Sequence, residues 1–167
     1  MTDILIRPVR ESDLVAMTDL YNFYVRTTPI TFDIAEVSLE SRREWLSHYS
    51  ATGRYRMLVA ERAGVLLGYV GSSKLRPRPA YDTTVETTVY VHADHRGLGI
   101  GSLLYTALFE SLAHEDLHRA YAGITLPNEA SIALHHKFGF KDLGVYHEVG
   151  RKFGQYWDVA WLEKELT

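Results

Sequence analysis

The run Thr83-Thr84-Val85-Glu86-Thr87-Thr88-Val89-Tyr90-Val91, continued by His92-Ala93-Asp94-His95-Arg96-Gly97-Leu98-Gly99-Ile100-Gly101-Ser102, decides how this chain is read. Its first half is rich in β-branched residues and reads as a strand. The apolar spacing from about Ile100 to Glu115 then reads as an amphipathic helix. Glycines between the two let backbone amides converge at a helix N-terminus, where the partial positive charge of the macrodipole suits a phosphate. A phosphorylated cofactor is therefore expected. The turn is not a dinucleotide fingerprint, which would need glycine at Ser102, and no G-K-[ST] follows to make a Walker loop. Glycine spacing taken alone fits a flexible, ligand-free turn equally well, so the context has to decide.

Before this segment, Ile4 to Val9 is a short strand closed by Pro8, and Glu11 to Arg26 carries Leu14, Met17, Leu20, Tyr21 and Tyr24 at helical spacing behind Ser12 as N-cap. A loop with Pro29, Thr31, Phe32 and Asp33 leads to a second helix after Ser38, which Gly53 ends. Arg56 to Glu61 and Val65 to Ser72 are strands joined by the tight turn Arg62-Ala63-Gly64, and with Thr83 to Val91 they make an antiparallel meander. Beyond the glycine turn and its helix come a strand from Ala120 to Thr125, a helix from Asn128 to Phe138, and strands near Phe140 to Glu148 and Tyr156 to Leu162. The plan βααβββαβαββ, without repeat or linker, makes residues 1–167 one domain of the α/β (α+β) class. It is a single mixed, mostly antiparallel sheet flanked by helices.

Composition removes several function classes. The chain is 46% hydrophobic and 23% charged, the profile of a folded domain. Eighteen basic against 21 acidic residues leave a formal charge of -3, so the broad positive field of a nucleic-acid or anionic-membrane binder is missing. The absence of cysteine excludes disulfides, cysteine zinc sites and covalent catalysis through a thiol. The eight histidines form no H-E-x-x-H or similar pattern, so no metal is expected. The longest run free of charged and strongly polar side chains, Gly64 to Gly71, is far short of the roughly 20 residues a membrane span needs. Charge alternates with aliphatics at the N-terminus, unlike a signal peptide, and a cytoplasmic protein is the simplest expectation.

Arg96, Gly99 and Gly101 fit the R/Q-x-x-G-x-G/A signature of the GNAT superfamily of N-acetyltransferases, and Asn128, Ser131, Leu134, Lys137, Gly139 and Phe140 resemble its N-x-x-S/A-x-x-L-x-x-K-x-G-F helix. The resemblance narrows to the phosphinothricin and methionine sulfoximine or sulfone acetyltransferases through Thr31-Phe32-Asp33, Ala80-Tyr81-Asp82, Glu86-x-x-Val89-Tyr90-Val91, Leu126-Pro127-Asn128 and Gly154-x-x-Trp157-Asp158-Val159. It spans nearly the whole chain. It implies an acetyl-CoA-dependent N-acetyltransferase for a small amino-acid-like amine. Acetyl-CoA would lie on Val89, Tyr90, Val91, Arg96, Gly97, Leu98, Gly99, Ile100, Gly101, Ser102, Asn128, Ser131 and Lys137, and two protomers would form a homodimer. Rival readings are an acetyltransferase for a polyamine, an aminoglycoside or a protein N-terminus, and a non-catalytic acetyl-CoA sensor.

For the chemistry, alternation along Thr83 to Val91 sets Glu86 on the face of Thr84, Thr88 and Tyr90, opposite Val85, Thr87, Val89 and Val91. Most strand carboxylates simply face water, but an amine must lose a proton before it attacks a thioester, and the resemblance puts the base at Glu86. The resemblance likewise makes His135 the candidate general acid, with solvent as the other source of the proton for the leaving thiolate, while His136, about 100° around the helix, is a surface residue. Asn128 is explained by N-capping and can also touch the cofactor. Arg76 and Arg78 are either a solvated basic loop or a bidentate trap for the substrate carboxylate, with Phe32 and Tyr81 as walls of its pocket.

Overall fold

Ala63 at φ +51° and Gly64 at φ +80° make the two-residue turn that brings the second and third strands side by side, since a turn with both central residues left-handed matches the twist of the strands it joins. A computed structural model describes residues 3–167. It contains strands β1 (Leu5–Pro8), β2 (Met57–Arg62), β3 (Val65–Lys74), β4 (Thr84–Val91), β5 (Arg119–Thr125), β6 (Lys141–Lys152) and β7 (Gln155–Glu165). Helices are α1 (Leu14–Thr27), α2 (Leu39–Leu46), α3 (Ile100–Leu112) and α4 (Glu129–Lys137). The sheet order is β1-β2-β3-β4-β5-β7-β6. Every neighbouring pair is antiparallel except β4 and β5, which the crossover helix α3 joins in parallel. The expected order of elements and the mixed sheet are both present.

Each face of the sheet carries its own core. On one side, Leu104, Tyr105, Leu108 and Leu112 of α3 pack with Val70, Val85, Ala120, Ala122 and Leu162 of the strands. On the other, Met17, Leu20 and Tyr24 of α1 pack with Met57, Val59 and Tyr69. Residues of β4 divide as their alternation requires. Val85, Val89 and Val91 join the α3 side, and Tyr90 joins the α1 side.

Local details depart from the sequence reading where a long-range partner intervenes. Ser12 does not cap the first helix. A 3-10 turn, Glu11–Asp13, precedes α1, and the Asp13 carboxylate accepts two bonds from the Arg7 guanidinium at 2.8 Å and one from the Arg10 amide at 2.7 Å. Helix α2 begins after Ser38 as expected, capped by the Ser38 hydroxyl, which accepts from the Ser41 amide, but it ends at Leu46 instead of Gly53. Arg56 takes the carbonyls of Ala51 and Gly53 and pairs with Glu115 at 2.6 Å, which holds the segment after α2 in turns.

The N-terminal turn of α3 is held in place by what its following residues bury. Leu104 is fully buried between α3 and the sheet. Leu104→Ala is expected to cost about 2–5 kcal/mol of stability, as a cavity-forming core truncation, measured by urea denaturation.

Candidate active site

Strands β4 and β5 pair only at their beginnings, Thr84 with Arg119, Val85 with Ala120 and Glu86 with Tyr121. After Glu86 each goes to its other neighbour. Strand β4 stays on β3 as far as Val91 opposite Gly68, and β5 stays on β7 as far as Thr125 opposite Val159. Their facing backbone edges are left unpaired, and a cleft of about 640 Å³ opens between them. Residues 86–91 and 122–125 form its walls, with the glycine turn, the face of α4 that carries Ala130, Ser131, Leu134 and His135, and Tyr24, Ile30 and Thr31 around them. The His92 amide donates to the Leu67 carbonyl at 2.8 Å, so even-numbered residues of β4 make the ladder bonds to β3. The amides of Thr87, Val89 and Val91 consequently turn toward the cleft. The carbonyl of Val91 is taken by the Tyr24 hydroxyl at 2.5 Å, and that hydroxyl accepts from Arg96 at 3.1 Å.

The glycine turn has the form the sequence implies. Gly97 at φ +79° and Gly99 at φ +74° are left-handed, and Gly99 is the N-cap of α3 with no side chain over the helix end. First-turn amides of a helix have no intrahelical acceptor, so this end is open to an anion from the cleft. Gly101 serves a different purpose. A Cβ there would come within 2.9 Å of the Leu134 side chain, so its absence lets α3 and α4 approach closely. Asn128 caps α4 through the Ser131 amide at 3.2 Å, and Lys137 reaches back to the Ser102 hydroxyl at 2.9 Å. Of the residues expected around the cofactor, Leu98 and Lys137 are not in the cleft wall, whereas Val89, Tyr90, Val91, Arg96, Gly97, Gly99, Ile100, Gly101, Ser102, Asn128 and Ser131 are.

Glu86 is half-buried in the wall. Burial raises its carboxyl above the ordinary value, and the Arg76 charge pulls it partly back. The other expected substrate residues lie farther out. Arg76, Arg78 and Tyr81 are exposed on the loop between β3 and β4, Phe32 packs on Gly150 of β6, and none of these four is in the cleft wall.

His135 is in the wall but not as the sequence reading had it. It is 3% exposed, with Nδ1 2.7 Å from the Ser131 carbonyl and Nε2 2.8 Å from the Tyr105 hydroxyl. A carbonyl only accepts, so Nδ1 carries the proton and Nε2 accepts from Tyr105. No N–H points into the cleft, and burial lowers the imidazole pKa. The neutral ring in this arrangement does not hand a proton directly to a leaving group. His136, as expected, faces outward, paired with Asp142 at 2.8 Å.

Sequence reasoning missed Tyr105, Thr87 and Tyr24. Tyr105 and Tyr24 register only as apolar positions of helices, although a tyrosine hydroxyl on a buried helix face must find a partner. Among the described residues, no group of three or more His, Asp or Glu is arranged to hold a metal ion.

The acetyltransferase (GNAT) domain model matches residues 6–161. The chain belongs to the GNAT acetyltransferase family. It is 58% identical to a phosphinothricin N-acetyltransferase of Streptomyces coelicolor, over 98% of this chain and 97% of that protein. It is 34% identical to an L-methionine sulfoximine/L-methionine sulfone acetyltransferase of Pseudomonas aeruginosa, over 96% and 94%. The solved structure of a GNAT superfamily phosphinothricin acetyltransferase from Sinorhizobium meliloti, in complex with acetyl-CoA, superposes with a TM-score of 0.92 at 29% identity, covering 99% of this chain and 89% of that one.

The electrostatics of Glu86 are directly testable. Its carboxyl is expected to titrate above 4.5, and Arg76→Gln to move it higher still, in a carbon-detected NMR titration.

Proposed function

We propose that this GNAT protein transfers the acetyl group of acetyl-CoA to the α-amine of a small amino-acid-like substrate of the phosphinothricin or methionine sulfoximine/sulfone type. One observation carries the reading: a single cleft joins an anion-ready helix end on one side of β4 to a half-buried carboxylate on the other. The named relatives supply the substrate class.

Acetyl-CoA is the second substrate, and the cleft fits it. The open end of α3 between Gly97 and Ser102 suits the pyrophosphate, with Arg96 adding charge. Asn128 and Ser131 at the start of α4 flank the path of the pantetheine arm. The free edge of β4 is matched to an amide-rich arm that hydrogen-bonds like a strand. At the thioester, Glu86 takes a proton from the ammonium of the acceptor, the freed lone pair attacks the carbonyl carbon, and the cleft-facing amides of Val89 and Val91 receive the developing oxyanion. Arg76, whose charge already reaches Glu86, draws in the α-carboxylate of the acceptor, and Arg78, Tyr81 and Phe32 border the approach. With no cysteine for an acyl-thiol, both substrates bind together and transfer is direct.

The assembly and location belong to the same reading. Strand β6 is the edge of the sheet, and its hairpin with β7 exposes Leu143, Val145, Tyr146, Val149, Phe153 and Tyr156. Such an edge, left bare, invites pairing, and a second copy of the chain is the proposed cover. No helix among the described residues is long and apolar enough to cross a membrane. A cytoplasmic location is part of the same proposal.

A panel of amines assayed for acetyl-CoA-dependent thiol release tests the function, with phosphinothricin and methionine sulfoximine expected to lead. Because burial raises the Glu86 carboxyl, its base form is lost as pH falls through a value above the ordinary one for glutamate, and the acid limb of kcat/KM is expected there. Glu86→Gln is expected to lower kcat/KM by about 10²–10⁴-fold near neutrality, less at high pH where free amine forms unaided. Gly99→Val places a side chain beside the open helix end at a cost of about 1–2 kcal/mol for the left-handed backbone. At least a tenfold weaker acetyl-CoA affinity by calorimetry, with circular dichroism unchanged, is the expected result. Light scattering is expected to give twice the 19.1 kDa chain mass.

A further inference from the structure

Conversion of an ammonium group to an amide removes two protons from nitrogen, while the departing sulfur gains one. Glu86 accounts for the first. The second leaves nitrogen only after the C–N bond has formed, and Glu86 is then already protonated. The face of β4 opposite Glu86 carries a chain of buried groups that answers this need. Thr87, 5% exposed and in the cleft wall, has its hydroxyl 3.1 Å from that of Tyr105, which has no exposure at all. Tyr105 in turn lies 2.8 Å from His135 Nε2. The directions are determined from the far end. The Ser131 carbonyl accepts from Nδ1, Nε2 accepts from Tyr105, and the Tyr105 oxygen is left to accept from Thr87. Nδ1 also lies 3.4 Å from the Ser131 hydroxyl, and the polarity of the chain runs inward from the cleft.

We propose that Thr87, Tyr105 and His135 form a reversible proton relay that takes the second amine proton from nitrogen and returns it to the coenzyme A sulfur. The proposal rests on the acetyl-transfer reading above. After attack, the adduct nitrogen bears one proton too many. That proton passes to the Thr87 oxygen, the Thr87 proton passes to Tyr105, and the Tyr105 proton passes to Nε2, which becomes imidazolium. The chain now points outward, with the newly received proton on Thr87 facing the cleft. The C–S bond breaks with its electron pair going to sulfur. Thr87 gives sulfur the proton, Tyr105 refills Thr87, and Nε2 refills Tyr105. The amide and the free thiol leave a neutral chain in its starting polarity, and no other reactant is consumed. The thiol side is the correct side, since Thr87 faces α3 and α4, the helices whose first turns border the cofactor path. Thr87 alone meets the reacting atoms; Tyr105 and His135 act through it.

The test uses the intact chain with the best amine from the panel and four forms: wild type, Tyr105→Phe, Thr87→Val and Thr87→Ser. Thr87→Val keeps shape and removes the hydroxyl, and Thr87→Ser restores it. Tyr105→Phe and Thr87→Val are expected to lower kcat tenfold or more with KM for acetyl-CoA within twofold of wild type, while Thr87→Ser keeps most of kcat. In mixed H₂O and D₂O the wild-type rate is expected to fall along a curve, reporting several protons in motion, and the Tyr105→Phe rate along a line. The nitrogen-15 spectrum of the resting protein is expected to show His135 protonated at Nδ1 and bare at Nε2. Thr87→Val with the kcat of Thr87→Ser, or a resting His135 protonated at Nε2, overturns the relay. So does a folded Tyr105→Phe with wild-type kcat and a curved isotope response. If Tyr105→Phe does not fold, the Thr87 pair and the His135 spectrum decide. Failure of the underlying reading has a different signature, a wild-type chain releasing thiol with no amine in the panel, and it overturns the relay as well.

Discussion

The separation of β4 from β5 after Glu86 is the constraint on which the rest of the site depends. Backbone amides and carbonyls inside a sheet are normally consumed by neighbours, and here the facing edges of two central strands are not. A molecule that supplies a matching edge is stabilised there, and water or ligand must satisfy those groups otherwise. Divergence is tolerated because each strand keeps a full antiparallel partner on its other side, β3 for one and β7 for the other. It is also supported from below by α3, whose buried residues Leu104, Tyr105 and Leu108 fill the space under both strands.

A strand that borders such an opening presents alternate side chains to two different environments. Odd-numbered residues of β4 look toward α3 and α4, and even-numbered residues toward α1 and α2. The turn for the cofactor is on the first side, and the carboxylate with its neighbouring arginine on the second. One strand thereby sets the side of the glycine turn against the side of the carboxylate by a single residue step, Thr87 against Glu86. The close approach of α3 and α4 at Gly101 and Leu134 belongs to the same arrangement, since it brings His135 within reach of Tyr105.

Burial sets the protonation chemistry of the two sides in opposite ways. Desolvation raises the Glu86 carboxyl, which makes it a better proton acceptor once ionised. Desolvation lowers the His135 imidazole, and its two hydrogen bonds leave it neutral with an inward-facing acceptor. His136, on the outer face of α4, is exposed and pairs with Asp142 at 2.8 Å instead.

The order of elements, the glycine turn, the cap of α4 by Asn128 and the position of Glu86 in alternation with Tyr90 were all determined by the sequence, because each follows from spacing within a dozen residues. The unpaired stretch of β4 was not, since nothing in Thr87 to Val91 distinguishes a strand paired on both sides from one paired on one side. That depends on where β5 goes, and β5 follows β7, about forty residues away. The start of α1 was decided likewise by Arg7 and Asp13, and the end of α2 by Arg56 and Glu115. The direction of the His135 proton required tertiary structure most of all. It depends on a carbonyl one turn back, a hydroxyl thirty residues away on another helix, and the burial of the ring between them.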